Sequence, residues 1–197
     1  GISATLRQAV DGYHAAGQEW PLLKGPSTRP KGVLLSHYWS YTGISGIYFP
    51  FLVEANVNID QPHYTIPDTA GHELAHTRGF AREDEAGFLS FLAGIHHPNP
   101  DFRYSVLANT YVRCANALYD QDPDLYFAIA EKVSEGMSRD LADNSRYWKQ
   151  FEGPVAEVSE TVNNAYLKAN QQTDGVRSYG RMIDLVLAYF EFMGGQF

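Results

Sequence analysis

The repeat of apolar side chains changes once along this chain, and that change limits what it can fold into. In FLVEANVNID, residues 51–60, Val53, Ala55, Val57 and Ile59 alternate with Glu54, Asn56 and Asn58. A period of two belongs to a half-buried strand. From residue 65 onward the apolar repeat is helical instead. Gly79, Pro98-Asn99-Pro100, Asp122-Pro123, Gly153-Pro154 and Asp174-Gly175 punctuate it. These breaks predict helices over 66–78, 81–95, 101–119, 123–141, 144–151, 154–171 and 175–193. A first helix is expected over 3–16, with Leu6, Val10 and Tyr13 on one stripe, followed by an irregular Gly- and Pro-bearing stretch to residue 31. Residues 32–60 suit strands broken by Gly43 and Gly46. Pro50 ahead of the alternating run favours an edge strand, with Glu54, Asn56 and Asn58 on its solvent side. The fold expected is α+β and mostly α, with a small sheet in the N-terminal third.

Composition narrows the classes further. A chain of 197 residues with 44% hydrophobic and 14% aromatic content has material for one domain with a sizeable core, taken here as 1–197. A net charge of −8 with scattered lysines and arginines argues against a nucleic-acid partner. Cys114 is the single cysteine, which excludes an internal disulfide and a cysteine-rich metal cage. No apolar run approaches the roughly 20 residues of a membrane span; MIDLVLAYF, 182–190, is short and carries Asp184. There is no basic-then-apolar leader. The first residue is Gly, and the chain reads as a trimmed piece of a longer one.

The chemistry concentrates in HELAHTRGFAREDEAGF, residues 72–88. His72 and His76 are one helical turn apart on one face, so both imidazoles can reach one ion. Glu73 sits about 100° round from His72. There it is a poor ligand but is placed to take a proton from a water and later give it to a leaving amine. A catalytic zinc needs a third protein ligand. Gly79 can end the helix in a left-handed conformation, and a tight helix–Gly–helix hairpin would return the next helix's first turn to the first. Glu83 falls in that turn and is the third ligand expected. Asp84 points elsewhere, and Glu85 lies roughly 200° round from Glu83. Acids in a first turn also complement the helix dipole, so the three acids alone do not require a metal. Gly71, inside the helix, costs ~1 kcal/mol relative to Ala and suggests close approach of a neighbouring segment or a substrate.

The segments GISGIYFPF…EANVN, HELAHTRGFAREDEAGF, DFRYS, GPVAEVSETVNNAYLKAN and DGVRSYGRMIDLVLAYF resemble, in order and over about 32–190, an uncharacterised family of bacterial, membrane-anchored proteins. That family is classed as a domain of unknown function and is regarded as zinc peptidases. The resemblance implies a zincin-like fold, one Zn2+ per chain, a membrane-spanning N-terminal segment outside this sequence, and a place outside the cytoplasmic membrane. Arg82-Glu83-Asp84-Glu85-Ala86 also looks like the Glu-x-x-Ala-Asp/Asn element of gluzincin peptidases, in which the Glu binds zinc; this favours Glu83 over Glu85. The fifth position of that element, usually an Asp or Asn partner for a ligand histidine, is Gly87 here. Loss of such a partner weakens metal affinity by roughly tenfold or more.

The expected activity is therefore zinc-dependent hydrolysis of a peptide or protein substrate, with His72, His76 and Glu83 as ligands and Glu73 as general base then acid. In zinc peptidases the strand beside the metal helix binds substrate backbone, which assigns Glu54, Asn56 and Asn58 to the substrate. Arg177 and Tyr179, at the start of the last helix, are the first choice for stabilising the oxyanion; Arg103 and Tyr104 are the second. His96-His97 read as a helix C-terminal cap. Two rivals stand beside this reading. One is an inactive zincin-fold interaction domain, favoured by Gly87 and opposed by the retained Glu73. The other is a zinc hydrolase acting on a cell-wall amide.

Overall fold

A computed structural model describes residues 1–169 and 178–194. Helix α1 spans Ile2–Glu19 and leads through a single 3-10 turn, Pro21–Leu23, into strand β1, Lys31–Val33. Helix α2, Ser36–Ser40, precedes strands β2, Gly46–Phe49, and β3, Glu54–Asn58. Helices follow to the end: α3 Ile66–Thr77, α4 Glu83–Ile95, α5 Pro100–Gln121, α6 Pro123–Ala130, α7 Glu135–Lys149, α8 Pro154–Ala169 and α9 Ser178–Phe192. The fold is α+β and mostly helical, with one small sheet. Among the described residues no helix is long and apolar enough to cross a membrane.

The helix breaks follow local chemistry. Pro100 opens α5 while the Asn99 side chain accepts from Asp101 N, and the Asp122 side chain does the same for Leu125 N at the start of α6. The expected helices over 123–141 and 144–151 are corrected. The break falls at 131–134 instead, and α7 runs unbroken through Asp143-Asn144. Ser134 is extended (φ −64°, ψ 151°) and its hydroxyl accepts from Met137 N. A serine cap therefore starts α7 where the apolar repeat alone shows no interruption.

The sheet also departs from expectation. The strand order is β1-β3-β2, so β3 is the central strand, parallel to β1 and antiparallel to β2. Pro50 does not begin an edge strand. It is the corner of the β2–β3 turn, where Leu52 N donates to Phe49 O at 3.2 Å, a position for which its fixed φ suits it. The polar residues of β3 do not face solvent as a row. Asn58 is fully buried under α2 and the following loop. Its amide donates to Ser40 Oγ (2.9 Å) and Ile44 O (3.0 Å), and its carbonyl oxygen accepts from Asp60 N (2.9 Å). Asn56 is 9% exposed, and Glu54 is ion-paired with Lys31. Asn58→Ala removes a buried side chain that makes three hydrogen bonds, so we expect a loss of about 1–3 kcal/mol in urea unfolding, with no change in metal content.

Ala55 and Val57, on the opposite face of β3, join the core built by α1, α3, α4 and α9 around Leu6, Tyr13, Leu74, Phe91 and Val186. Helix α3 is clamped inside this core. The Tyr13 hydroxyl donates to Gly71 O at 2.7 Å, and the Ser90 hydroxyl donates to Asp68 on α3. Gly71 is explained by this clamp: a Cβ there would stand 2.5 Å from Ser90 Oγ. Its neighbour is α4, so the close approach is structural.

Candidate metal centre

Helix α3 carries His72 and His76 toward the first turn of α4. The chain leaves α3 through Gly79, whose φ of +93° lies in the left-handed region that glycine enters without steric cost. Gly79 N bonds His76 O at 3.0 Å and Phe80 N reaches Ala75 O at 3.4 Å. This short hairpin places Glu83, the first residue of α4, against both histidines. Glu83 Oε2 lies 2.9 Å from His72 Nε2 and 3.6 Å from His76 Nε2. The two Nε2 atoms are 3.2 Å apart. One nitrogen from each histidine and one carboxylate oxygen thus lie within 4.8 Å of one another.

The same turn orients a ligand. His76 Nδ1 is 2.7 Å from the Phe80 carbonyl, an acceptor, so Nδ1 carries the proton and donates. An ion that displaced the Nε2 proton would meet the Nε2 lone pair of a ring already oriented by this bond, the arrangement that metal-binding histidines use.

Charge in the cluster is strongly coupled. Burial pushes the Glu83 carboxyl up, but hydrogen bonds and positive charge from His72 and His76 outweigh it and hold Glu83 well below the usual carboxylate range. His76 is raised: burial opposes its protonation, and the Glu83 hydrogen bond with the charges of Glu73 and Glu83 overcomes that. Glu73 behaves differently. It is 5% exposed, and desolvation drives its carboxyl up to about 7, against the pull of the two histidines. Its Oε2 is buried without a hydrogen-bond partner.

The donor set fits zinc. Two imidazole nitrogens and one carboxylate oxygen form the three-protein-ligand type found in catalytic sites. The unpartnered Glu73 oxygen is an additional acceptor that a purely structural helix pair does not need. The neighbouring acids are occupied elsewhere. Asp84 pairs with Arg82 (2.7 Å) and accepts from Glu85 N, and Glu85 is half-buried beside Arg82. At Gly87, a Cβ would rest 3.4 Å from Met182 Cγ. Helix α9 therefore covers the position where the related element carries Asp or Asn.

Two residues of β2 border the cluster and were not anticipated. Gly46 lies so close to Glu73 that a Cβ would stand 2.5 Å from its Oε1. Two residues on, Tyr48 stacks on the His76 ring, with centroids 6.0 Å apart and planes 25° apart. Strand β2 is an outer strand of the sheet and runs past Glu73 and then His76. The alternation in Gly-Ile-Tyr-Phe carried this signal, since Gly46 and Tyr48 must share a face.

The remaining expected residues fall elsewhere. Glu54, Asn56 and Asn58 lie on the central strand, so the free-edge placement from which their substrate role was argued is corrected. Arg177 and the side chain of Tyr179 lie outside the described residues. Arg103 donates to His97 O (2.6 Å) and Pro98 O (3.0 Å), closing the end of α4, and Tyr104 bonds Asp140 of α7. His96 Nδ1 donates to Leu92 O at 2.8 Å as a C-terminal cap, while His97 is buried, stacked on Phe102. An open cleft of about 620 Å³ lies beside Asp60, Tyr64, Asp140 and Tyr147. It contains none of the four cluster residues, and the donor geometry rather than cleft size locates the candidate centre.

The sequence profile of a family described as a protein of unknown function, DUF3810, matches residues 3–187. No curated protein and no solved structure matches the chain.

Proposed function

We propose that this chain, which belongs to the DUF3810 family, is a zinc-dependent metallopeptidase with a zincin-like fold. The observation that carries the reading is the convergence of His72, His76 and Glu83 beside a buried Glu73 whose Oε2 has no partner. His72, His76 and Glu83 would hold the ion. When bound, zinc supplies Lewis acidity toward a water and a scissile carbonyl.

Glu73 handles the proton. Its Oε2 takes the proton of the attacking water and returns it to the leaving amine. Burial raises this carboxyl in the absence of an ion, and a bound cation would draw it back down, leaving an ionised oxygen to take the proton. Gly46 leaves room for that side chain, and the outer edge of β2 offers backbone groups to an extended substrate. The role first given to β3 passes to β2 on this reading. The sequence resemblance supports a membrane-anchored bacterial parent chain with this domain outside the cytoplasmic membrane. The inactive-scaffold reading is disfavoured by Glu73, since a desolvated carboxyl with no partner is costly to keep.

The test is hydrolysis of a peptide library and of murein fragments by zinc-loaded protein. We expect peptide cleavage that is lost on chelation and restored by zinc, and no release from murein. Murein cleavage alone would move the activity to cell-wall amides, and cleavage of neither would leave a scaffold.

A further inference from the structure

We infer that the apolar tip of the β2–β3 hairpin selects substrates with large apolar side chains on the N-terminal side of the scissile bond. This rests on the peptidase reading above. Three observations lead to it. First, the tip continues the strand that borders the candidate centre. β2 passes Glu73 at Gly46 and His76 at Tyr48, then enters the turn at Pro50. Second, its large side chains are turned outward. Phe51 is 97% exposed, Leu52 66% and Phe49 43%. Third, the turn is held under strain, with the β-branched Val53 at φ 52°, a conformation such residues rarely adopt.

The chemistry of the tip names its partner. Residues 46–53, GIYFPFLV, carry no charge, and the ion pair of Glu54 with Lys31 closes their base. A charged side chain finds no complement there, whereas an apolar one loses water contact on both sides. A peptide added to the free edge of β2 in the slightly stronger antiparallel sense begins near Phe49 and runs toward Gly46. Its N-terminal residues therefore meet Phe49, Phe51 and Leu52, and its later residues reach Glu73. Backbone pairing along β2 supplies the register and the tip supplies the choice of side chain.

The test is binding, read on the Glu73→Gln protein by NMR titration. The probes are an acetylated, amidated octapeptide with Phe and Leu in its N-terminal half and its counterpart with serine at both positions. We expect the apolar peptide to shift amides of residues 46–53. In Phe51→Ser/Leu52→Ser its affinity should fall about tenfold, to that of the serine peptide, with amides outside the hairpin unchanged. Equal affinity for both peptides, or shifts that avoid 46–53, overturns the inference. So does an unaltered peptide affinity combined with loss of sedimentation on phosphatidylcholine vesicles, which would make the tip a lipid contact. Turnover by the unsubstituted protein is scored separately. Binding without cleavage overturns the peptidase reading alone, and cleavage without preference for Phe or Leu overturns the tip alone.

Discussion

Glu73→Gln is expected to lower peptide turnover by about 10²–10⁴-fold, the range that a positioned general base contributes, with zinc content unchanged. The amide keeps the shape of the side chain but cannot take a proton at neutral pH. Glu73 is not one of the three clustered donors, so the ion should be retained. Unfolding does not offer a rival explanation. In the metal-free protein desolvation pushes the Glu73 carboxyl up to about 7, so that form loses stability as pH rises from the ordinary carboxyl range to about 7 and carries the full cost of an ionised buried group above it. Glutamine removes that cost, and thermal unfolding at pH 8 should occur no lower than in the unsubstituted protein. Steady-state kinetics, elemental analysis and a thermal melt on the same preparation check all three statements.

The second large effect is at Glu83. Glu83→Ala should weaken zinc binding by more than the ~10–100-fold that loss of a residue supporting a ligand costs, because the proposed ligand oxygen itself is removed. The carboxylate is the donor that α4 contributes, 2.9 Å from His72 and 3.6 Å from His76. Without it two imidazoles 3.2 Å apart remain, and two neutral nitrogens make a weak site. Glu85→Ala is the matched control. Glu85 is half-buried beside Arg82 and is not one of the clustered donors, and its removal should leave zinc affinity within error of the unsubstituted protein. Competition with a chromogenic chelator measures both variants.

The parts of this molecule that were legible in its sequence are those set by short-range rules. The pair His72 and His76 needs only a helix, and Gly79 needs only its freedom at positive φ to bring Glu83 back. All of that information lies within twelve residues. The strand pattern of 53–59 was also read as a strand, but its partners were not. Which strand is central depends on β1, three residues long and parallel to β3, and a three-residue strand carries almost no periodic signal. Asn56 and Asn58 show the same limit, because alternation separates two faces without telling whether α2 covers the polar one. The bond from His76 Nδ1 to the Phe80 carbonyl uses backbone, which no residue type announces. Ser134 is of a residue type that caps helices, but the apolar repeat continues across it, so no break is legible there.

The most direct measurement of the central claim is the metal content of the protein purified without chelator, by elemental analysis, before and after dialysis against zinc. The account predicts about one zinc per chain, the stoichiometry of a single three-ligand site. Protein that holds no zinc even after dialysis would contradict it, and His72, His76 and Glu83 would then be no more than a hydrogen-bonded joint between two helices.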